Sequence, residues 1–273
     1  MQRSLAAVLA TLVALALPAA ARAEHPTEVI FGVSPGPYGD MVRKAIKPGL
    51  EKRGYKVTIR EFSDYVQPNL ALANGSIQAN LFQHSVYLAR FSADKGLKLS
   101  PVLSVPTAGA GLYSHRVKSL DQLKPGDELV VSNDPTNLAR HLRFLQKLGL
   151  VQLRPDVDPA KVSEKDIAAN PRQLRIRPIE AAQAPRSLDS VAVAVVNGNF
   201  AVAAGIPLST AIATEVLDES MKNVVAVRTE DLDRQLGRDI RAVLESPEFR
   251  AAIDDPAGPF KDFQKPAWMT KKP

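Results

Sequence analysis

Asn137 and Arg140 are the residues whose types and spacing best suit chemistry. They stand three apart within Ser132-Asn133-Asp134-Pro135-Thr136-Asn137-Leu138-Ala139-Arg140. If a helix starts there, both side chains share its first turn and one face. A planar cation, an amide and the free backbone N–H groups of a helix start then converge, which suits a carboxylate or a phosphate. The competing reading is a solvated arginine beside a turn asparagine, since exposed arginine is the norm. Other chemistry is thinly represented. The four histidines are His25, His84, His115 and His141, and none has a partner at metal-ligand spacing. H-E-x-x-H, G-x-S-x-G, the G-x-x-x-x-G-K phosphate loop and G-x-G-x-x-G are all missing. Gly109-Ala110-Gly111 lacks a third glycine and a following helix. A triad assembled in space stays open, but binding is favoured over catalysis, with no cofactor implied.

Two elements must position the pair. Leu129-Val130-Val131 reads as a strand, and the apolar stripe Leu138, Leu142, Leu145, Leu148 as the helix after it. Asp134-Pro135 is a turn dipeptide, and Thr136 or Asp134 can cap the helix. The rest of the chain repeats this plan. Residues 28–34 read as a buried strand, broken by Pro35-Gly36-Pro37. Met41, Val42, Ala45, Ile46 and Leu50 then give a helical stripe, in which Pro48 predicts a kink or an early end. Residues 56–62 alternate as a second strand, completing a β-α-β unit, the mark of a parallel sheet. A helix over 67–73, a strand over 79–82 ending at Gln83-His84, a helix over 86–93 and an extended run over 99–105 follow. A second alternation starts at Gly111, with Ser119 capping a helical turn and a proline-broken loop with a short helix over 150–172. A strand at 174–177, a helix at 180–188 and a fully buried strand at 191–196 come next. A helix from Phe200, a strand at 223–228 and two C-terminal helices complete the series, with Phe260, Phe263 and Trp268 packing the C-terminus back on the body. The expectation is α/β in two lobes, 24–107 with 224–273 and 108–223, joined by extended crossings near Pro106 and Met221. Ligands in such sheets sit where strands end and helices begin, and the cleft between lobes is the default pocket.

The N-terminus reads as an address. Met1-Gln2-Arg3 precedes an apolar run from Leu5 to Ala20, closed by Ala21-Arg22-Ala23. A charged start, a short apolar core and a small-residue exit predict a signal peptide over residues 1–23 and an exported, periplasmic protein. Its removal lowers the formal charge from +6 by the two arginines it carries. The remaining excess is modest and spread out, so nucleic acid is weakly supported as a partner. The sequence has no cysteine, which excludes disulfides and thiolate sites and predicts a protein that is not lipidated. With 45% hydrophobic residues, a packed core can carry stability instead.

Seven stretches, in order, resemble the methionine-binding components of ABC importers, the NLPA-type lipoprotein family. They are Phe62-Ser63-Asp64-Tyr65-Val66-Gln67-Pro68-Asn69; Ala79-Asn80-Leu81-Phe82-Gln83-His84; Gly111-Leu112-Tyr113-Ser114; the Asn133–Arg140 stretch; Asn170-Pro171-Arg172 with Glu180-Ala181-Ala182-Gln183; Asn197-Gly198-Asn199-Phe200; and Asn223-Val224-Val225-Ala226-Val227-Arg228. The resemblance implies the two-lobed type II periplasmic binding protein fold with a hinge and an interlobe cleft. It implies capture of methionine, or a close analogue, for delivery to the membrane subunits of an ABC importer, by a protein expected to be a monomer. Carried over residue by residue, Tyr65 and Phe82 are aromatic walls for the side chain and His84 closes the same side. Asn137 and Arg140 hold the α-carboxylate, and Asn197 and Asn223 hold the polar backbone end. Taken one at a time, the same residues also read as core aromatics, a structural histidine and turn formers. The chain departs from the family at Tyr38, at Ser85-Val86, before Asn223 and in lacking the lipobox cysteine. The ligand of the same fold could therefore be D-methionine, another apolar amino acid or a methionine-containing peptide; an exported enzyme and a surface interaction protein with a vestigial pocket are the remaining alternatives.

Overall fold

The computed structural model describes residues 28–159 and 161–270; the expected signal peptide lies outside them. Runs rich in Val, Ile and Leu form the strands, as their stiff branched side chains favour. The first part of the chain gives β1 (Glu28–Val33), β2 (Lys56–Glu61), β3 (Ala79–His84) and β4 (Leu99–Ser104). The middle gives β5 (Gly111–Tyr113), β6 (Glu128–Ser132), the short β7 (Gln152–Leu153) and β8 (Ile167–Ala169), β9 (Arg175–Ile179), β10 (Val193–Val196) and β11 (Ala213–Thr214). The last is β12 (Asn223–Arg228). They assemble into two five-stranded sheets, ordered β2-β1-β3-β12-β4 and β11-β5-β10-β6-β9, with β7 and β8 as a separate ribbon inside the expected loop.

Each sheet is parallel where a helix returns the chain and antiparallel where the chain crosses between sheets. β1 pairs parallel with β2 and β3, and β6 parallel with β9 and β10. β12 comes back from the second sheet and inserts antiparallel between β3 and β4. β5 and β11 run antiparallel on the other side. Two crossings therefore link the halves, residues 105–110 and 215–222.

The helices are α1 (Pro37–Met41), α2 (Lys47–Glu51), α3 (Gln67–Ala73), α4 (Ser85–Lys95), α5 (Pro135–Lys147), α6 (Ala184–Ser187), α7 (Gly198–Ala203), α8 (Gln235–Leu244), α9 (Pro247–Asp254) and α10 (Ala267–Thr270). The conflict at Pro48 is resolved by a π turn at Val42–Ile46, where the Lys47 N–H reaches back five residues to the Val42 carbonyl. Widening the helix ahead of the proline relieves the clash of its ring with the preceding turn. Ser119 makes no side-chain cap and is followed by a single 3-10 turn. The expected helix over 180–188 is also a 3-10 turn running into the short α6.

One core surrounds the first sheet and holds α8, α9 and the C-terminal Phe260 and Phe263. Trp268 stays with it through an indole N–H donated to the Ser104 carbonyl at 2.9 Å. A second core packs α5 onto the second sheet. A third apolar cluster spans the halves, setting Tyr65, Phe82 and Tyr87 against Val130, Val196 and Phe200. The backbones also meet. Gly36 has φ +112°, and a Cβ there would lie 2.3 Å from the Asn199 carbonyl oxygen. Gly36→Ala is expected to destabilise the protein by about 1–3 kcal/mol through strain and this close approach. Urea unfolding with an unchanged midpoint would contradict it.

Candidate functional site

The cavity between the halves is small, about 20 Å3, and is lined by all seven residues singled out in the sequence: Tyr65, Phe82, His84, Asn137, Arg140, Asn197 and Asn223. Tyr38, Gln83, Tyr87, Thr107, Ala108, Gly198 and Asn199 complete the lining.

The ends of strands and starts of helices place these groups. α5 begins where expected, with Asp134 rather than Thr136 as its cap, its carboxylate accepting the Asn137 N–H at 2.9 Å. The same carboxylate accepts from Asn137 Nδ2 at 3.1 Å through each oxygen. That fixes the amide, and Asn137 Oδ1 then accepts from Asn197 Nδ2 at 3.1 Å, Arg140 Nη1 at 3.3 Å and His84 Nε2 at 3.4 Å. A flipped amide would point its NH2 at three donors and its oxygen at a carboxylate, so the network allows only this orientation. Asn137 thus holds its neighbours in place and has no donor left for a ligand carboxylate.

Arg140 is 5% exposed. Its side-on edge is occupied by Glu215, with Nη2–Oε2 at 2.6 Å and Nε–Oε1 at 3.0 Å. Only the remaining N–H groups on Nη1 and Nη2 can take an incoming acceptor, so the expected full fork for a carboxylate is reduced to its end-on side. Burial pushes Arg140 down, but Glu215 outweighs it and the guanidinium stays charged. Burial likewise pushes Glu215 up, and the adjacent Arg140 more than reverses it. Glu215 also accepts the Ala110 N–H at 3.3 Å. Sequence reasoning missed it, although it is the only charged residue between Asp189 and Asp218. Asn199, within the Asn197–Phe200 stretch, and Tyr87, three residues past His84, also line the cavity, and nothing in their spacing marks them as functional.

His84 ends β3 and caps α4, its Nδ1 accepting the Tyr87 N–H at 3.1 Å. The proton of the neutral ring therefore sits on Nε2, which donates to Asn137. Burial, reinforced by Arg140, brings its pKa down to about 3. His141 lies behind the cavity with Nδ1 accepting the Ser132 N–H at 3.1 Å, and burial also takes it to about 3. Asn197 Oδ1 accepts the Ser132 hydroxyl at 3.2 Å. Asn223 opens β12 opposite His84, and its backbone N–H donates to Thr107 Oγ1 at 2.7 Å.

Tyr65 and Phe82 lie side by side. Their centroids are 5.8 Å apart, too close for a side chain to pass between, and Tyr65 stacks on Phe200 at 5.1 Å. With Tyr87 they form one aromatic surface beside the polar network. The Tyr65 hydroxyl crosses to Asn199 Oδ1 at 2.8 Å, and Asn199 Nδ2 returns to Ser34 Oγ at 3.3 Å. Burial pushes the Tyr65 hydroxyl well up, so it stays a donor.

Two α/β halves closing on a cavity with an apolar floor and one half-occupied guanidinium define a two-lobed periplasmic binding fold of type II. The chain belongs to the NlpA lipoprotein family, whose model matches residues 29–268. It is 40% identical over 240 residues to the D-methionine-binding lipoprotein MetQ of Salmonella typhi, covering 85% of this chain and 87% of that one. A nutrient-binding protein from Burkholderia cenocepacia, solved with methionine bound, superposes with a TM-score of 0.79 at 36% identity, over 83% of this chain and 95% of that one. A periplasmic substrate-binding protein of an ABC transporter from Coxiella burnetii gives 0.77 at 37%, with the same coverage. These relatives are binding proteins. They also correct one expectation. The protein was expected not to be lipidated, yet the family is described as a lipoprotein family and the Salmonella relative is named a lipoprotein. The expectation rested on the lack of one residue type in the sequence, and that absence does not outweigh the lipoprotein family.

The two buried histidines set a pH dependence. In the unfolded chain each protonates near 6.5, whereas folded each resists until about 3. Between these values the unfolded state binds more protons, so the stability held above pH 6.5 is lost as pH falls toward 3. Each contributes a slope of up to about 1.4 kcal/mol per pH unit. His141→Asn, which keeps an acceptor for the Ser132 N–H, is expected to remove about half of that slope in urea titrations between pH 6 and 4.

Proposed function

We propose that this chain is a solute-binding protein that captures methionine, or a close relative of it, between its halves and delivers it to the membrane subunits of an ABC importer. The observation that carries the reading is the convergence of seven residues from widely separated stretches on one interlobe cavity. The end-on side of Arg140 takes the α-carboxylate. Asn197 and Asn223 serve the amino end, and the surface of Tyr65, Phe82 and Tyr87 takes the thioether, a contact worth about 0.3–1.5 kcal/mol. Asn137 and His84 keep those groups in register. The lobes divide near the two crossings, 24–107 with 224–273 and 108–223, in keeping with the membership of the two sheets. Binding rather than turnover is the role, because the titratable groups that reach the cavity are already matched: Arg140 to Glu215, and neutral His84 to Tyr87 and Asn137.

L-methionine is expected to raise the melting temperature, by the equivalent of about 2.7 kcal/mol at a hundredfold excess over Kd, while sugars leave it unchanged. No shift with any amino acid contradicts the reading, and D-methionine in a parallel arm reports the stereochemical preference. Arg140→Ala would strand Glu215 in the interior, at a cost of about 3–5 kcal/mol, so Arg140→Lys is the cleaner variant. It keeps the charge, loses the planar fork and is expected to weaken methionine binding by about a hundredfold in calorimetry. Unchanged affinity removes Arg140 from the site.

A further inference from the structure

Glu215 touches the cavity only through Arg140, yet it governs what the cavity attracts. We infer that Glu215 is a specificity-determining residue which, by occupying one edge of Arg140 and cancelling its charge, makes the site select a zwitterion over a plain carboxylic acid. The inference rests on the methionine-binding reading and deepens it.

The cavity's charges support this. Its lining carries one formal cation, Arg140. The other polar groups that line it are amides, hydroxyls and a histidine that burial keeps uncharged. Glu215 supplies the balancing anion at 2.6 Å, and the side chains of the pair are only 5% and 9% exposed. A bare carboxylate arriving at the end-on side of Arg140 therefore meets attraction from the guanidinium and repulsion from the carboxylate just across it. In so dry a place, a like charge at that separation changes affinity by about tenfold or more. A ligand with its own ammonium feels both signs and loses nothing net.

Stability alone is a poor reason for this pair, since a buried ion pair is often no better than well-packed apolar side chains. Its position fits a gate of charge type instead. Glu215 begins the second crossing, and its own carbonyl is held by Gln264 Nε2 at 2.7 Å. Behind the pair lies a separate surface hollow of about 210 Å3, bordered by Arg143, Lys147 and Asp218. Arg140 borders both spaces and Glu215 only the outer one, so a shortened side chain at 215 can be solvated from the outer side without opening the core.

The test compares L-methionine with 4-(methylthio)butanoic acid, the same molecule without its amine, by calorimetry on the wild type and on Glu215→Gln, Glu215→Ala and Glu215→Asp. Folding of each variant is checked by its thermal melt. The inference expects the ratio of the two affinities to move toward the amine-free acid by about tenfold or more in the neutral variants. The Asp variant, which keeps the charge and shortens the reach, is expected to hold the wild-type ratio even where both affinities fall. An unchanged ratio in a folded neutral variant overturns the inference, as does an equal change in the Asp variant, which would make the effect one of shape. If the wild type binds methionine and the ratio stays fixed, this inference alone fails. If the wild type does not bind methionine, the proposed function fails first.

Discussion

A guanidinium out of water must have its charge matched and its N–H groups bonded, and much of this site follows from that demand at Arg140. Glu215 answers the charge, and Asn137 Oδ1 answers Nη1. For Asn137 to present its oxygen, its NH2 must be taken up elsewhere, and the helix-capping Asp134 does so. The same oxygen then accepts from Asn197 and His84, which places the His84 proton on Nε2 and leaves Nδ1 to cap α4. A helix cap, an amide orientation, a tautomer and an ion pair are thus consequences of one buried cation.

The fold was legible wherever hydrophobic periodicity was clean. Val191–Val196 contains β10, the Leu138–Leu148 stripe lies along α5, and residues 67–73 are α3 as expected. Pro48 announced a conflict without naming its solution; a π turn and a kink have the same sequence signature. β11, with two residues, is too short to carry a period, and its place beside β5 depends on the partner strand. The direction of β12 was equally hidden, because whether a returning strand inserts parallel or antiparallel is a property of the whole chain. Ser119 has the right type for a cap, yet the chain turns after it in a single 3-10 turn, and its hydroxyl finds no helix N–H.

The site was legible as a set of residues and less so as a set of interactions. Motifs in order brought seven positions to one cavity, but spacing along a sequence does not say which groups neutralise one another. Glu215 lies 75 residues from Arg140, in a segment whose other residues are apolar or small, and a lone glutamate ordinarily signals solvent. The rings of Tyr65 and Phe82 were foreseen as the apolar side of the site. Their mutual contact depends on Phe200 and Tyr87 pressing from α7 and from α4. The lack of cysteine misled for another reason: an absence carries less weight than the lipoprotein family to which the chain belongs.

The contacts that shut the cavity set a limit on how tightly it can stay shut. Across the gap beside the cavity run the Tyr65–Asn199, Asn199–Ser34 and Asn199–Pro35 bonds and the longer His84–Asn137 bond, together with the aromatic cluster. Each polar bond contributes a net of about 0.5–1.5 kcal/mol, so the polar part of the closing energy is a few kcal/mol. A ligand shifts such an equilibrium only by the difference in its affinity for the open and closed forms. Binding with a micromolar Kd corresponds to about 8 kcal/mol, which comfortably exceeds the polar closing term. A cross-gap contact as strong as the Arg140–Glu215 pair would close that margin and trap or exclude the ligand. It follows that the strongest buried interaction belongs on one side of the cleft, where α5 and the segment after β11 hold it, while the bonds that meet across the gap beside the cavity join neutral groups.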